Sequence, residues 1–258
     1  MRVLVTGAAG GVATLLRPRL RGDGRILRLL DIAPPDTGGD EVMTGSVTDP
    51  EVMAVACHDV DAVIHLGGHS RENSWADTVE VNITGTQTVL EAARRAGVRR
   101  VILASSNHAV GFREVTEELP ADSTPRPDTF YGVSKAAMEA LGSLYHSRFG
   151  MDVICIRIGS CFERPPGVRG LSTWLSPDDA GRLFKACLTF ASPGYRIVWG
   201  VSDNTRRVYS LAEAEALGYR SEDDAEKFAD EITDAPPAGT EARYVGGPFT
   251  TIPLGGPN

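Results

Sequence analysis

The chain has 258 residues, enough for one large domain or two small ones at roughly 100–200 residues per domain. Its 34 acidic against 26 basic side chains give a formal charge of −8, which argues against a sequence-independent nucleic-acid binder, since that needs basic surface to displace counterions. Apolar residues make up 42% and charged residues 23%, so there is material for a sizeable core, and no apolar run is long enough to mark a membrane span.

Short, nearly all-apolar runs alternate with helical patterns through the first 160 residues. Arg2–Thr6, Ile26–Asp31, Ala62–Leu66, Arg100–Ala104 and Val153–Ile158 are each bounded by Gly, Asp or Ser. That is how strands buried on both faces of a parallel sheet read. Helical patterns fill Val79–Ala96 and Tyr131–Phe149. The alternation predicts βαβ units in a doubly wound α/β sheet. Residues 159–180 are Pro- and Gly-rich and read mostly as loop. A helix is expected from Asp178 through Phe190, a further strand over Arg196–Trp199, and a charged helical stretch over 210–232. The last 25 residues are expected to drape over the surface. The division that follows is 1–160 as a dinucleotide-binding domain and 161–258 as a small substrate lobe packed on it.

Gly7, Gly10 and Gly11 form a turn directly after the first strand, and Val12 and Ala13 open the helix that follows. Glycines let the backbone approach a pyrophosphate, and free amides at a helix N-terminus face its charge. Asp31 ends the second strand, 24 residues after Gly7. A carboxylate there accepts both ribose hydroxyls of an adenosine and repels a 2′-phosphate, which favours NAD over NADP.

Tyr131 and Lys135 are four apart in a helical pattern and share one face. A free phenol has a pKa of about 10, so ionising it at pH 7 costs about 4 kcal/mol. A neighbouring ammonium and a positive nicotinamide ring could supply much of that. Ser106 follows the fourth strand, at the carboxyl edge where α/β sites form.

With TGAAGGVA, LLD, AVIHLGG, VEVNITGT, ILASSN and YGVSKAAME, residues 1–160 resemble the extended short-chain dehydrogenase/reductases, part of the NAD-dependent epimerase/dehydratase group. The resemblance implies a Rossmann-type sheet with a small C-terminal substrate lobe. It implies Ser106, Tyr131 and Lys135 as the catalytic set, with Tyr131 and Lys135 also on the cofactor beside Leu66, Gly67 and Asn82. Longer segments are similar to bacterial uronate dehydrogenases: HLGGHS, ASSNHAVGF, RPDTFYGVSK, IRIGSCFERPPGVRGLSTWLSPDD and IVWGVSDN. That family oxidises C1 of cyclic galacturonate or glucuronate with NAD, giving an aldarolactone. The match implies Arg169 as the carboxylate-binding residue, and Ser70, Asn107, His108 and Ser160, with Ser106 and Tyr131, as sugar contacts.

Three stretches depart from the pattern. Ala13 replaces a glycine, Ser46 stands where many relatives carry an adenine-contacting aspartate, and Arg206 and Arg207 replace an aromatic-rich stretch. His65 and His69 lack the acidic or cysteine company of a metal site, so no metal is expected. The four cysteines, Cys57, Cys155, Cys161 and Cys187, form no CxxC pair and are read as reduced and mostly buried. The opening residues, with a short apolar run ending in glycines, do not read as a signal peptide; a cytoplasmic protein is expected, and a homo-oligomer by analogy. Two other functions compete. A nucleotide-sugar epimerase or dehydratase usually carries a larger lobe than the 98 residues after Ser160. A non-catalytic NAD-binding redox sensor commonly lacks the Tyr-Lys pair.

Overall fold

The computed structural model describes residues 1–256. In chain order the elements are β1 (Arg2–Thr6), α1 (Gly11–Leu20), β2 (Ile26–Asp31), β3 (Glu41–Thr44), α2 (Pro50–Ala56) and β4 (Ala62–His65). A helical run follows, made of α3 (Trp75–Asp77), a π-helical segment (Thr78–Thr84) and α4 (Gly85–Arg95). Then come β5 (Arg100–Ser106), a 3₁₀ turn (Asn107–Val110), α5 (Phe130–Phe149) and β6 (Asp152–Ile158). The last part holds β7 (Ser160–Cys161), α6 (Gly167–Thr173), β8 (Trp174–Leu175), α7 (Pro177–Thr189) and β9 (Tyr195–Gly200). It closes with α8 (Ala212–Glu215), a 3₁₀ turn (Ala225–Glu231), α9 (Gly239–Arg243) and a 3₁₀ turn (Gly247–Thr250).

Seven strands form one parallel sheet in the order β3-β2-β1-β4-β5-β6-β9, and β7 pairs with β8 apart from it. Strand order reverses between β1 and β4, which opens a crevice at their carboxyl ends. Alternate residues of each strand feed two cores. Val3, Val5, Ile64, Ile102 and Ile154 pack on one face with α1 and α7 residues such as Leu16 and Phe184. Leu4, Val63, Val101, Leu103 and Val153 pack on the other with Met53, Val89 and Met138. Burial on both faces is why these strands read as unbroken apolar runs.

The five strands expected from the first 160 residues are present, with the third ending at His65. The predicted strand over Arg196–Trp199 is the core of β9, which pairs with β6 at the edge of the main sheet. β3 and α2 were not expected; β3 is only four residues long and never fully buried. α2 did carry a signal, since the Asp49 carboxylate accepts from the Glu51 and Val52 amides at 2.8 and 3.2 Å and Pro50 takes the first turn. The stretch 210–232 is not one helix. Asp179, fully buried, accepts from the amides of Glu222 and Asp223 and from the Ser221 hydroxyl, and so draws that backbone into a loop. All four cysteines are free and buried, and burial pushes the thiols of Cys57, Cys161 and Cys187 up to about 12. Among the described residues no helix is long and apolar enough to cross a membrane.

Candidate active site

A cavity of about 1020 Å³ opens at the carboxyl edge of the sheet, over the switch point. The glycine turn forms one wall. Gly7 has φ +67°, and a Cβ there would collide with the backbone of Leu66 and Gly67. The turn therefore passes against the end of β4 only as glycine. α1 begins without a side-chain cap, and a Cβ built on Gly11 meets nothing within 4 Å. Its first amides face open space, an arrangement that fits a dinucleotide pyrophosphate.

Tyr131 and Lys135 line the same cavity from the first two turns of α5. The helix starts where it does because the Thr129 hydroxyl accepts from the Gly132 amide at 3.0 Å. The Lys135 Nζ donates to the Ala104 carbonyl at 2.7 Å and lies 5.4 Å from the Tyr131 ring centre. Burial lowers the Lys135 ammonium to about 8, with the nearby Glu139 carboxylate opposing it. Burial raises the Tyr131 phenol to about 12, with the Asp128 charge adding to the rise and the neighbouring Ser106 hydroxyl pulling the other way. Glu139 is itself held by Arg157 at 2.8 Å on each oxygen and by the Ser105 hydroxyl at 2.6 Å.

Ser106 ends β5 and caps the 3₁₀ turn, accepting from the His108 amide at 3.2 Å. The His108 ring lines the cavity with its centre 5.7 Å from that of Tyr131, and its Nδ1 lies 2.7 Å from Asp128. Burial lowers its pKa, Asp128 works against that, and the Arg169 charge adds to the lowering. Arg169 lines the cavity from α6 and donates from Nη2 to the Val245 carbonyl at 2.6 Å. Its Nε and Nη1 make no hydrogen bond among the described residues. Ser160 also lines it, sharing a 2.9 Å hydrogen bond with Thr173.

Of the residues singled out from the sequence, Gly7, Gly10, Gly11, Val12, Leu66, Ser70, Ser106, His108, Tyr131, Lys135, Ser160 and Arg169 line this one cavity. Asp31, Gly67, Asn82 and Asn107 are not among the residues that line it. Asp31 accepts from the Ala9 amide at 2.9 Å and so ties the glycine turn to β2. Asn82, in the π-helical segment, accepts from the His69 amide at 2.7 Å and donates to the His69 carbonyl and the Ser134 hydroxyl. It clamps the loop after β4 to α5. Asn107 donates to the Val245 carbonyl at 3.2 Å. His65 is buried below the site between the hydroxyls of Thr6 and Thr86. Ser46 bonds to Thr48, and Arg206 and Arg207 pair with Glu226, Asp203 and Glu118 away from the cavity lining.

Three residues escaped the sequence reading. Phe249 comes from the tail expected to drape over the surface, yet its ring stacks on His108 at 3.9 Å and lines the cavity. Buried Glu72 accepts from the Tyr131 amide and from the Gly255 amide, both at 2.9 Å, which ties the tail to the start of α5. Asp128 lies inside the RPDTFYGVSK segment, one residue before the helix cap, so its signal was present.

Residues 3–165 match the NAD dependent epimerase/dehydratase family. The chain is similar to the uronate dehydrogenase of Pseudomonas putida KT2440, with 42% identity over 96% of this chain and 95% of that one. It is 41% identical to an NAD-dependent glucose-6-phosphate dehydrogenase of Haloferax volcanii, over 88% of this chain and 95% of that one. Among solved structures, a mutant uronate dehydrogenase from Agrobacterium tumefaciens in complex with NAD superposes with a TM-score of 0.92, at 37% identity over 98% and 97% of the two chains.

Proposed function

Since the chain belongs to the NAD dependent epimerase/dehydratase family, we propose that its cavity oxidises C1 of a cyclic hexuronic acid, galacturonate or glucuronate, to the aldarolactone with NAD as acceptor. One observation carries this reading: the uncapped start of α1, the Tyr131–Lys135 pair and Arg169 all line a single cavity. Bound NAD supplies the acceptor for the C1 hydride.

The chain's own residues do the rest. Gly11 and Val12 present amides to the pyrophosphate, while the Gly10 amide closes the turn onto the Gly7 carbonyl at 3.0 Å. Leu66 and Gly67 bound the cofactor side of the crevice, with Asn82 holding the loop that follows them. Asp31 at the end of β2 suits the adenosine ribose and disfavours a 2′-phosphate. Arg169 spends one of its two Nη2 protons on Val245, so the other Nη2 proton, paired with the unused Nε or Nη1, grips the uronate carboxylate through two parallel hydrogen bonds. Ser70, His108 and Ser160 serve the ring hydroxyls, while Asn107, off the cavity lining, holds the Val245 carbonyl.

Tyr131 takes the proton of the C1 hydroxyl, and the Ser106 hydroxyl steadies the developing carbonyl oxygen. With the phenol at about 12, ionisation at pH 7 costs about 7 kcal/mol. The Lys135 ammonium offsets part of that. Holding C1 in line supplies the remainder of the rate.

A second reading is oxidation of hexose 6-phosphate at C1, favoured by the 41% identity to the Haloferax volcanii enzyme, since a guanidinium also grips phosphate. The test is NADH formation by the pure chain with NAD and, separately, galacturonate, glucuronate, glucose 6-phosphate and UDP-glucose. Turnover with a uronate at a kcat/KM at least tenfold above the others is expected. Turnover confined to the phosphate or the nucleotide sugar would reject the uronate reading.

A further inference from the structure

Asp128 has no surface in contact with solvent at its side chain, and it sits against the cavity wall through one partner, His108. Its Oδ2 lies 2.7 Å from His108 Nδ1. Its Oδ1 accepts from the Thr129 hydroxyl at 3.0 Å. That hydroxyl already accepts the Gly132 amide, so its own proton is directed at Asp128. A Cβ on Gly111 or on Gly246 would strike the carboxylate, so the niche admits it only because those positions are glycine. On the other side of the imidazole, Phe249 stacks at 3.9 Å and fixes the ring plane. His108 Nε2 makes no hydrogen bond among the described residues, and the ring lines the cavity.

A carboxylate can only accept, so Nδ1 must carry the proton. In a neutral imidazole Nε2 is then an acceptor. We infer that Asp128 is a positioning residue: it locks His108 with Nδ1 protonated and offers Nε2 to the cavity as an acceptor for a hydroxyl of the sugar substrate. The inference rests on the function proposed above. It adds a polarity to the site. Arg169 donates to the acid group, and His108 accepts from a ring hydroxyl, so a sugar lacking that hydroxyl leaves a buried acceptor unpaired.

Asp128→Asn inverts this geometry. The Thr129 proton holds the amide oxygen on its own side, which turns the NH₂ toward His108. Nδ1 must then accept, and the proton moves to Nε2. The experiment uses ¹⁵N-histidine-labelled full-length chain without ligand at pH 8, with the His108 signals assigned by their loss in His108→Gln. The wild-type spectrum is expected to show Nδ1 protonated and Nε2 bare, and D128N the reverse. In steady state, D128N is expected to raise the uronate KM about tenfold or more, with kcat within about threefold and NAD affinity unchanged. A merely structural role would not exchange the tautomer. A wild-type His108 protonated at Nε2, or a D128N chain with an unchanged tautomer and a KM within twofold of wild type, would overturn the assignment. If D128N does not fold, the wild-type spectrum alone decides. If no uronate is turned over, the proposed function fails, and the same spectrum still accepts or rejects the Asp128 assignment.

Discussion

The Lys135 ammonium stands 5.4 Å from the centre of the Tyr131 ring, one helical turn along α5, while its hydrogen bond goes to the Ala104 carbonyl rather than to the phenol. The lysine therefore acts on the phenol as a fixed charge held from the end of β5. A cation at that distance favours the phenolate and lowers the pKa of the phenol. Replacing Lys135 with Met removes the charge, so the alkaline rise of kcat with pH should move to higher pH and kcat at pH 7 should fall by roughly 10²-fold or more. A pH–rate profile of the variant that overlays the wild type would remove Lys135 from this role.

Arg169 spends one Nη2 proton on the Val245 carbonyl and keeps the rest for a ligand. Losing a charge-assisted pair of hydrogen bonds costs about 1.5–3 kcal/mol per bond. Arg169→Ala is expected to raise the uronate KM roughly 30-fold or more and leave NAD affinity alone. Val245 keeps its hydrogen bond from Asn107, so the tail should stay seated. An unchanged KM in steady-state assays would detach the arginine from the carboxylate.

Phe249 closes the cavity over His108. Aromatic stacking contributes about 0.5–1.5 kcal/mol beyond its area, so Phe249→Ala should raise the uronate KM by roughly 2–10-fold. Cofactor titration by fluorescence should give an unaltered Kd, because the ring packs on the sugar side. A weakened NAD affinity with an intact KM would put the ring on the wrong side of the site.

His65 is buried between two threonine hydroxyls, and burial, helped by the Lys135 charge, lowers its pKa to about 3. The unfolded chain binds a proton near pH 6.5 and the folded chain does not, so stability is fully present above about pH 6.5 and is lost as pH falls toward 3. Between pH 7 and pH 5 this one group should remove about 2 kcal/mol. Urea unfolding at both pH values should show a correspondingly flatter dependence for His65→Asn than for wild type. Equal slopes would assign the titration to another group.

Much of this arrangement is legible in the chain. Two-sided burial writes the sheet as apolar runs, and a turn that must touch β4 writes itself as glycine. The Tyr131–Lys135 face follows from helical spacing alone. What stayed hidden depends on contacts between distant segments. Nothing in a Pro- and Gly-rich tail marks Phe249 as a wall of the cavity, and Glu72 earns its burial only by meeting amides 59 and 183 residues away. The broken 210–232 helix has the same origin, because Asp179 competes for its amides from another helix. Asp31 and Asn82 were found by their positions, but their present bonds go to the backbone of neighbouring loops and, for Asn82, also to the Ser134 hydroxyl, which spacing does not reveal.

The most direct measurement is single-turnover NADH formation by Tyr131→Phe with saturating NAD and uronate, alongside the Kd of each. If the phenol takes the C1 hydroxyl proton, the rate should fall by roughly 10²–10⁴-fold while both Kd values stay within a few-fold of wild type. A variant that forms NADH at the wild-type rate would contradict the account.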